Sequence, residues 1–240
     1  MVQLSKIFLK YYAPKIYEIN INFGIGIKAL ILADLHVHGW GEREELISRL
    51  LRDLSGDVDA IFILGDSYDE RTRSLEPLVR LLGEIDRPKF GVLGNHEHWA
   101  DPRIPLKYGL EALERAGVRV LLNEVTEEIG IRVGGIDWYD DDEHAAEALR
   151  NMGDIDVLLS HTPDVIELRP RAKMVLAGHT HGGQVCLPLI GPIWTPSKYG
   201  TKYASGLFKV EGRYLYVSRG LGEKNPVRFN CPRELTLMTI

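Results

Sequence analysis

Met174-Val175-Leu176-Ala177-Gly178-His179-Thr180-His181-Gly182-Gly183 runs from an apolar stretch into two histidines one residue apart, fenced by glycines. The apolar part reads as a strand covered on both faces. If the backbone beyond it stays extended or turns gently, both imidazoles converge on one side. The glycines allow a tight turn and close approach of a ligand. This spacing suits a metal pair better than a protein core, provided that other stretches supply the remaining ligands.

They do, at the ends of other apolar runs. Run 29–33 ends at Asp34-Leu35-His36, run 60–64 at Gly65-Asp66, run 89–93 at Gly94-Asn95-His96-Glu97 and run 157–159 at Ser160-His161. Between them, Leu46, Ile47, Leu50, Leu51 and Leu54 recur at helical spacing within 42–54, and 75–82 and 105–116 also read as helices. Alternating strands and helices predict α/β layering with right-handed crossovers, preceded by a strand at 15–21. After Gly117 the texture changes. Short strands at 118–122, 125–129 and 131–136 include a hairpin near Gly130, and a helix follows at 143–152. Further strands fall near 204–210, 214–218 and 234–240. A mostly parallel half followed by a hairpin-rich half predicts two mixed sheets packed face to face and flanked by helices. In open α/β sheets, ligands bind at the carboxyl ends of strands, which is where all these polar residues stand.

The chain has 240 residues, 45% hydrophobic and 26% charged, with net charge -5, a composition typical of a globular protein. We read residues 15–240 as a single domain and 1–14 as an extension. In that extension Leu4, Ile7, Phe8, Tyr11 and Tyr12 alternate with Lys6 and Lys10, the pattern of a short amphipathic helix packed on the domain. A peripheral membrane contact is its second reading. It makes a poor signal peptide, and no run approaches the roughly 20 apolar residues of a bilayer span. Acidic balance disfavours non-specific nucleic-acid binding. Cys186 and Cys231 form no framework and read as small hydrophobes in a reducing compartment, the cytoplasm or the inner membrane face.

Asp34, Asp66, His36, His161, His179, His181 and Asn95 exceed the needs of one tetrahedral zinc. A single zinc on three of the histidines is the simpler alternative, but it leaves Asp34, Asp66 and Asn95 without a reason to share an edge. Two ions sharing a carboxylate use them all. Nitrogen and oxygen donors without thiolate favour Mn, Fe, Zn or Co over calcium. Two ions roughly 3.5–4 Å apart can clamp a phosphoryl group and hold a hydroxide between them. His96, beside Asn95, is placed to protonate a leaving oxygen. Asp69, three residues after Asp66, is the expected carboxylate to orient it.

Asp34-Leu35-His36, Gly65-Asp66-Ser67-Tyr68-Asp69, Gly94-Asn95-His96-Glu97, His161 and Gly178-His179-Thr180-His181 resemble, in order, the DxH, GDxxD, GNH[DE], H and GHxH blocks of the calcineurin-like metallophosphoesterase superfamily. Later strings, among them Thr195-Pro196-Ser197-Lys198-Tyr199-Gly200 and Arg228-Phe229-Asn230-Cys231-Pro232, resemble its bacterial branch of YkuE- and YaeI-like phosphodiesterases. The resemblance implies a four-layer α/β/β/α sandwich and a binuclear, metal-dependent phosphoesterase. It implies that Asp34, His36 and His181 hold one metal, that Asn95, His161 and His179 hold the other, and that Asp66 bridges them. It also implies that Asn95 and His96 face the phosphoryl oxygens, with His96 oriented by Asp69. Some members of the branch hydrolyse UDP-2,3-diacylglucosamine, so a sugar-nucleotide pyrophosphatase at the membrane surface is the alternative. A non-catalytic metal-bound interaction scaffold is the alternative of another class. His38 and His98 stand beside two blocks, as partners of the site or as ordinary loop residues.

The stretch 186–197 starts beside the expected metals and is strongly apolar. It reads as a loop pinned on the sandwich by Leu187, Ile190 and Trp194. The competing reading is an apolar wall for a lipid-linked or nucleoside-bearing phosphoester. Arg219, Lys224 and Arg228 are candidate phosphate partners.

Overall fold

The computed structural model describes residues 13–21, 24–225 and 227–240. The amphipathic stretch 1–12 therefore lies outside the described residues. Strands are Lys15–Asn20 (β1), Lys28–Leu32 (β2), Ala60–Leu64 (β3), Lys89–Val92 (β4), Val118–Val120 (β5), Glu124–Thr126 (β6), Val133–Gly135 (β7), Ile155–Leu159 (β8), Ala172–Ala177 (β9), Cys186–Leu187 (β10), Gly191–Pro192 (β11), Gly206–Val210 (β12), Arg213–Val217 (β13) and Glu234–Thr239 (β14). One six-stranded sheet has the order β1-β14-β2-β3-β4-β5, and the other has the order β12-β13-β9-β8-β7-β6. In the first, β2 to β5 are parallel and β14 runs against β2. In the second, β7, β8, β9 and β13 are parallel, with antiparallel strands at both edges.

The fully apolar strands are covered on both faces, and side-chain alternation sorts them into two layers of core. Ala29, Ile31, Phe62 and Leu64 meet Val157, Leu159, Met174 and Leu176 between the sheets. Leu30, Leu32, Ile61 and Ile63 face outward onto Ile47 and Leu51 of the helix Glu42–Ser55 (α1) and Leu78 and Leu82 of Glu76–Gly83 (α2). A five-residue helix, Asn95–Trp99 (α3), is not legible as a helix in the sequence and opens directly at a strand end. Leu113 of Leu106–Arg115 (α4) completes that outer layer. On the far side Val175, Ala177 and Leu158 pack against Ala148, Leu149 and Met152 of Asp142–Met152 (α5). The result is an α/β/β/α sandwich. Each large side chain buried in it contributes roughly 1.5–3 kcal/mol.

One expectation fails in the 186–197 stretch, where β10 and β11 pair as a small antiparallel hairpin. Its apolar residues do not pin it: Ile190 is 72% and Trp194 66% exposed, and Leu189 at the tip is fully exposed. Hairpin geometry explains this, because a two-residue ladder turned outward holds its register through the backbone and leaves its tip in solvent. The two cysteines are free and not isolated. Cys186 and Cys231 both donate to the carbonyl of Gly182, at 3.3 and 3.4 Å. No helix among the described residues is long and apolar enough to cross a membrane.

Candidate metal centre

The chain leaves β2, β3 and β9 through left-handed backbone rather than the extended or gently turned conformation expected for the histidine pair. Asp34 has φ 50°, His36 43°, Asp66 51°, His179 70° and His181 49°. Each such non-glycine residue costs on the order of 1–3 kcal/mol and persists only where its surroundings hold it. Backbone bonds supply the hold: Asp34 N–H donates to Gly65 O at 3.1 Å, His36 N–H to Asp66 O at 2.9 Å and Gly178 N–H to His161 O at 2.9 Å. The abrupt turns throw the side chains back over the strand ends. Glycine makes the crowding possible. A Cβ at Gly178 would stand 2.8 Å from Asp34 Oδ2, and one at Gly94 would stand 2.8 Å from the Asp66 amide.

Three groups of donors converge: Asp34, His36 and His181; His36, Asp66 and His96; and Asp66, His161 and His179, each with its donor atoms within 4.8 Å of one another. His179 and His181 thus fall into different groups. Asn95 joins the last of them, its Oδ1 3.0 Å from His161 Nε2. The same nitrogen is 3.0 Å from His179 Nδ1 and 3.3 Å from Asp66 Oδ2. His161 Nδ1 donates to the carbonyl of Leu64 at 2.8 Å, which turns Nε2 toward these acceptors. His36 repeats the device. Its Nδ1 is 2.9 Å from Asp69 Oδ2, and its buried Nε2 has no hydrogen-bond partner among the described residues. Acceptors aimed at one another, with an orphan imidazole nitrogen among them, form a donor set that fits metal cations.

The electrostatics agree. Burial opposes a charge on His161, but Asp66 outweighs it and pushes the imidazole up to about 9. Burial drives His179 down to about 3, helped by His161. Burial also pushes Asp34 up to about 6 against the pull of His161. Positive charge at the centre of this cluster offsets the burial of the Asp34 carboxylate, and a His179 ring kept neutral retains a lone pair to donate.

Several expected partners lie elsewhere. Asp69 does not reach His96: its Oδ2 takes His36 Nδ1 and, at 2.7 Å, His38 Nε2, while Oδ1 accepts the Arg71 amide. His96 Nδ1 instead lies 2.8 Å from Glu70 Oε2. His98 pairs with Asp137 at 2.9 Å. Arg228 is buried on Glu223, Arg219 is bonded to Glu234 and Lys224 Nζ lies 2.8 Å from Glu70 Oε1, so all three candidate phosphate cations already hold carboxylates. Glu97, to which the sequence assigns no task beyond closing its block, accepts the amides of Asp66 and Gly94, both at 2.9 Å, and so ties the loops after β3 and β4 together. Its position three residues after a helix-capping glycine was the available signal. Trp138, which no motif marks, packs edge-on against His161 and beside His179, with ring centres 5.8 and 5.2 Å away. It lines a cavity of about 220 Å³ that reaches His179.

A buried cluster of carboxylates, imidazoles and one amide at the shared strand edge of an α/β/β/α sandwich defines a metal-dependent hydrolase of phosphoester bonds. The chain belongs to the calcineurin-like phosphoesterase family, whose profile matches residues 27–183. It is similar to an uncharacterized metallophosphoesterase of Aquifex aeolicus, 30% identical over 99% of this chain and 94% of the relative. It is also similar to the uncharacterized metallophosphoesterase YkuE of Bacillus subtilis, 28% identical over 90% of this chain and 79% of the relative. The phosphodiesterase YaeI of Escherichia coli is 27% identical over 89% of this chain and 82% of its own length. The crystal structure of TT1561 from Thermus thermophilus shares the fold with TM-score 0.50 at 14% identity, covering 82% of this chain and 90% of that one.

Proposed function

We propose that this chain is a two-metal phosphodiesterase in which Asp34, His36 and His181 hold one ion, Asn95, His161 and His179 hold the other, and Asp66 is shared. The observation that carries this reading is the position of Asp66 Oδ2, 3.3 Å from His161 Nε2 and 3.7 Å from His36 Nε2. One oxygen therefore reaches both groups. Bound cations would supply Lewis-acid charge to the phosphoryl group and lower the pKa of an attacking water. The chain's own residues orient the ester and move the proton: Asn95 and His96 face the phosphoryl oxygens, and His96 protonates the leaving oxygen. The name of the Escherichia coli relative favours a diester over a monoester. Nitrogen and oxygen donors without thiolate suit Mn, Fe, Zn or Co.

The test is to strip the protein with a chelator, reload it with each metal, and count ions while assaying bis-p-nitrophenyl phosphate against p-nitrophenyl phosphate. We expect about two ions per chain and preference for the diester. Asp66→Ala and His181→Ala should lose metal and turnover together. Turnover that survives complete metal removal overturns the reading.

The exposed hairpin favours a second reading of the substrate. Leu189, Ile190, Ile193 and Trp194 form an apolar projection in the hairpin that follows His181. A lipid-linked phosphoester at a membrane surface, such as UDP-2,3-diacylglucosamine, would place acyl chains there. Co-sedimentation with anionic phospholipid vesicles, lost in Ile190→Asp with Trp194→Ala, supports that reading. Absence of binding by the unmodified chain rejects it and leaves the phosphodiesterase reading intact.

A further inference from the structure

His96 is held by a carboxylate that no motif marks. Glu70 Oε2 lies 2.8 Å from His96 Nδ1, and Glu70 Oε1 lies 2.8 Å from Lys224 Nζ. The neighbouring Asp69 is fully engaged by His36, His38 and the Arg71 amide. We propose that Glu70 is the positioning residue for His96, and that Asp69 serves His36 instead. The proposal rests on the reading of His96 as the leaving-group acid.

The geometry gives each contact a task. A carboxylate on Nδ1 keeps a proton on that nitrogen and leaves Nε2 available to the cleft. In the protonated ring, the Nε2 proton passes to the leaving oxygen. The N–H electron pair stays on Nε2, and the neutral ring keeps Nδ1–H on Glu70. The ring plane is set by Trp99 and His36, edge-on at 5.0 and 5.1 Å.

Glu70 is itself fixed from two directions. Its backbone carbonyl accepts Arg103 Nη1 at 2.7 Å, and Lys224 holds its free oxygen. The Lys224 segment is clamped in turn by Arg71, whose Nη1 donates to Lys224 O at 2.5 Å and whose Nη2 donates to Asn225 Oδ1 at 3.2 Å. Residues far along the tail therefore set the rotamer of a side chain in the loop after β3. Glu70, Lys224 and Arg71 form one unit whose product is the orientation of the His96 ring.

Two measurements on the full zinc-loaded chain test this. In ¹⁵N-histidine NMR, with the His96 signals identified by their loss in His96→Gln, the unmodified chain should show the Nδ1–H tautomer. Glu70→Ala should redistribute that tautomer, whereas Asp69→Asn should not. In a series of aryl phosphodiesters, Glu70→Ala should keep its metal. It should slow esters of poor leaving groups on the order of 10- to 100-fold and p-nitrophenyl esters by less than about 3-fold. An Asp69→Asn chain that moves the His96 tautomer while Glu70→Ala does not overturns the proposal, as does equal slowing by Glu70→Ala across the series. If the unmodified loaded chain cleaves no phosphodiester, the functional reading fails, and the tautomer measurement still decides the pairing.

Discussion

Asp34 accepts the backbone N–H of His179 through both carboxylate oxygens, at 3.0 and 3.2 Å. The two residues end strands of opposite sheets, so one buried side chain ties the two halves of the sandwich at the site. Asp34→Ala removes a proposed ligand and this tie together. Losing a group that merely supports a ligand costs 10- to 100-fold, so loss of the ligand itself should lower turnover by more than about 100-fold. Inductively coupled plasma spectrometry should show about one metal lost per chain. Full metal content in the variant would exclude Asp34 as a ligand.

Gly94 leaves room for Asp66. An added Cβ would meet the Asp66 carboxylate as well as its amide. Glu97 holds the amide and the His96 amide holds the carboxylate, so neither can retreat, and Gly94→Ala should destabilise the fold by about 1–3 kcal/mol. Urea denaturation measures the loss, and metal titration of the same variant should show weakened binding.

Glu223 pairs with two arginines at once. Its Oε2 accepts Arg228 Nε at 2.8 Å and its Oε1 accepts Arg233 Nη2, with all three side chains at most 4% exposed. Glu223→Gln removes the buried negative charge that both guanidinium groups share. Breaking a buried pair in this way costs about 3–5 kcal/mol, which a denaturant midpoint should register. A shift near zero would place the two guanidinium groups in solvent.

Ile190 and Leu189 should behave as surface residues. With Ile190 72% exposed, replacing either by Ser should change stability by no more than about 0.5 kcal/mol. A larger loss in thermal denaturation would mean that something covers the hairpin in solution.

His98 supplies a pH dependence. The hydrogen bond to Asp137, stronger than the opposing burial, raises its pKa above 6.5. A raised folded pKa contributes stability that is fully present below the unfolded value and is lost as pH rises through the folded one. His98→Gln should therefore lower the melting temperature more at about pH 5.5 than at about pH 9. Equal losses at both would mean that the pair acts through packing alone.

The order of apolar runs, each ending in a carboxylate, amide or imidazole, was enough to establish the layers and to collect Asp34, His36, Asp66, Asn95, His161, His179 and His181 at one edge. That much is local. A strand covered on both faces must be apolar, and the residue at its end must lie where the sheet's carboxyl edge lies. The ligand blocks are short for the same reason, because each turn holds its own donors.

Pairings across the fold were decided by tertiary structure. The sequence points to Asp69 for His96 and does not single out its neighbour Glu70. The contact goes to Glu70 because His36 and His38 saturate Asp69, and because Lys224, brought in by the tail, holds Glu70 in place. Arg228 reads as a free cation until Glu223 is seen against it, and Trp194 reads as a core anchor until the hairpin turns it outward. Composition and spacing specify which donors and acceptors a chain carries. Which acceptor each donor meets depends on what else competes for it within about 3 Å, and that competition exists only in the folded chain.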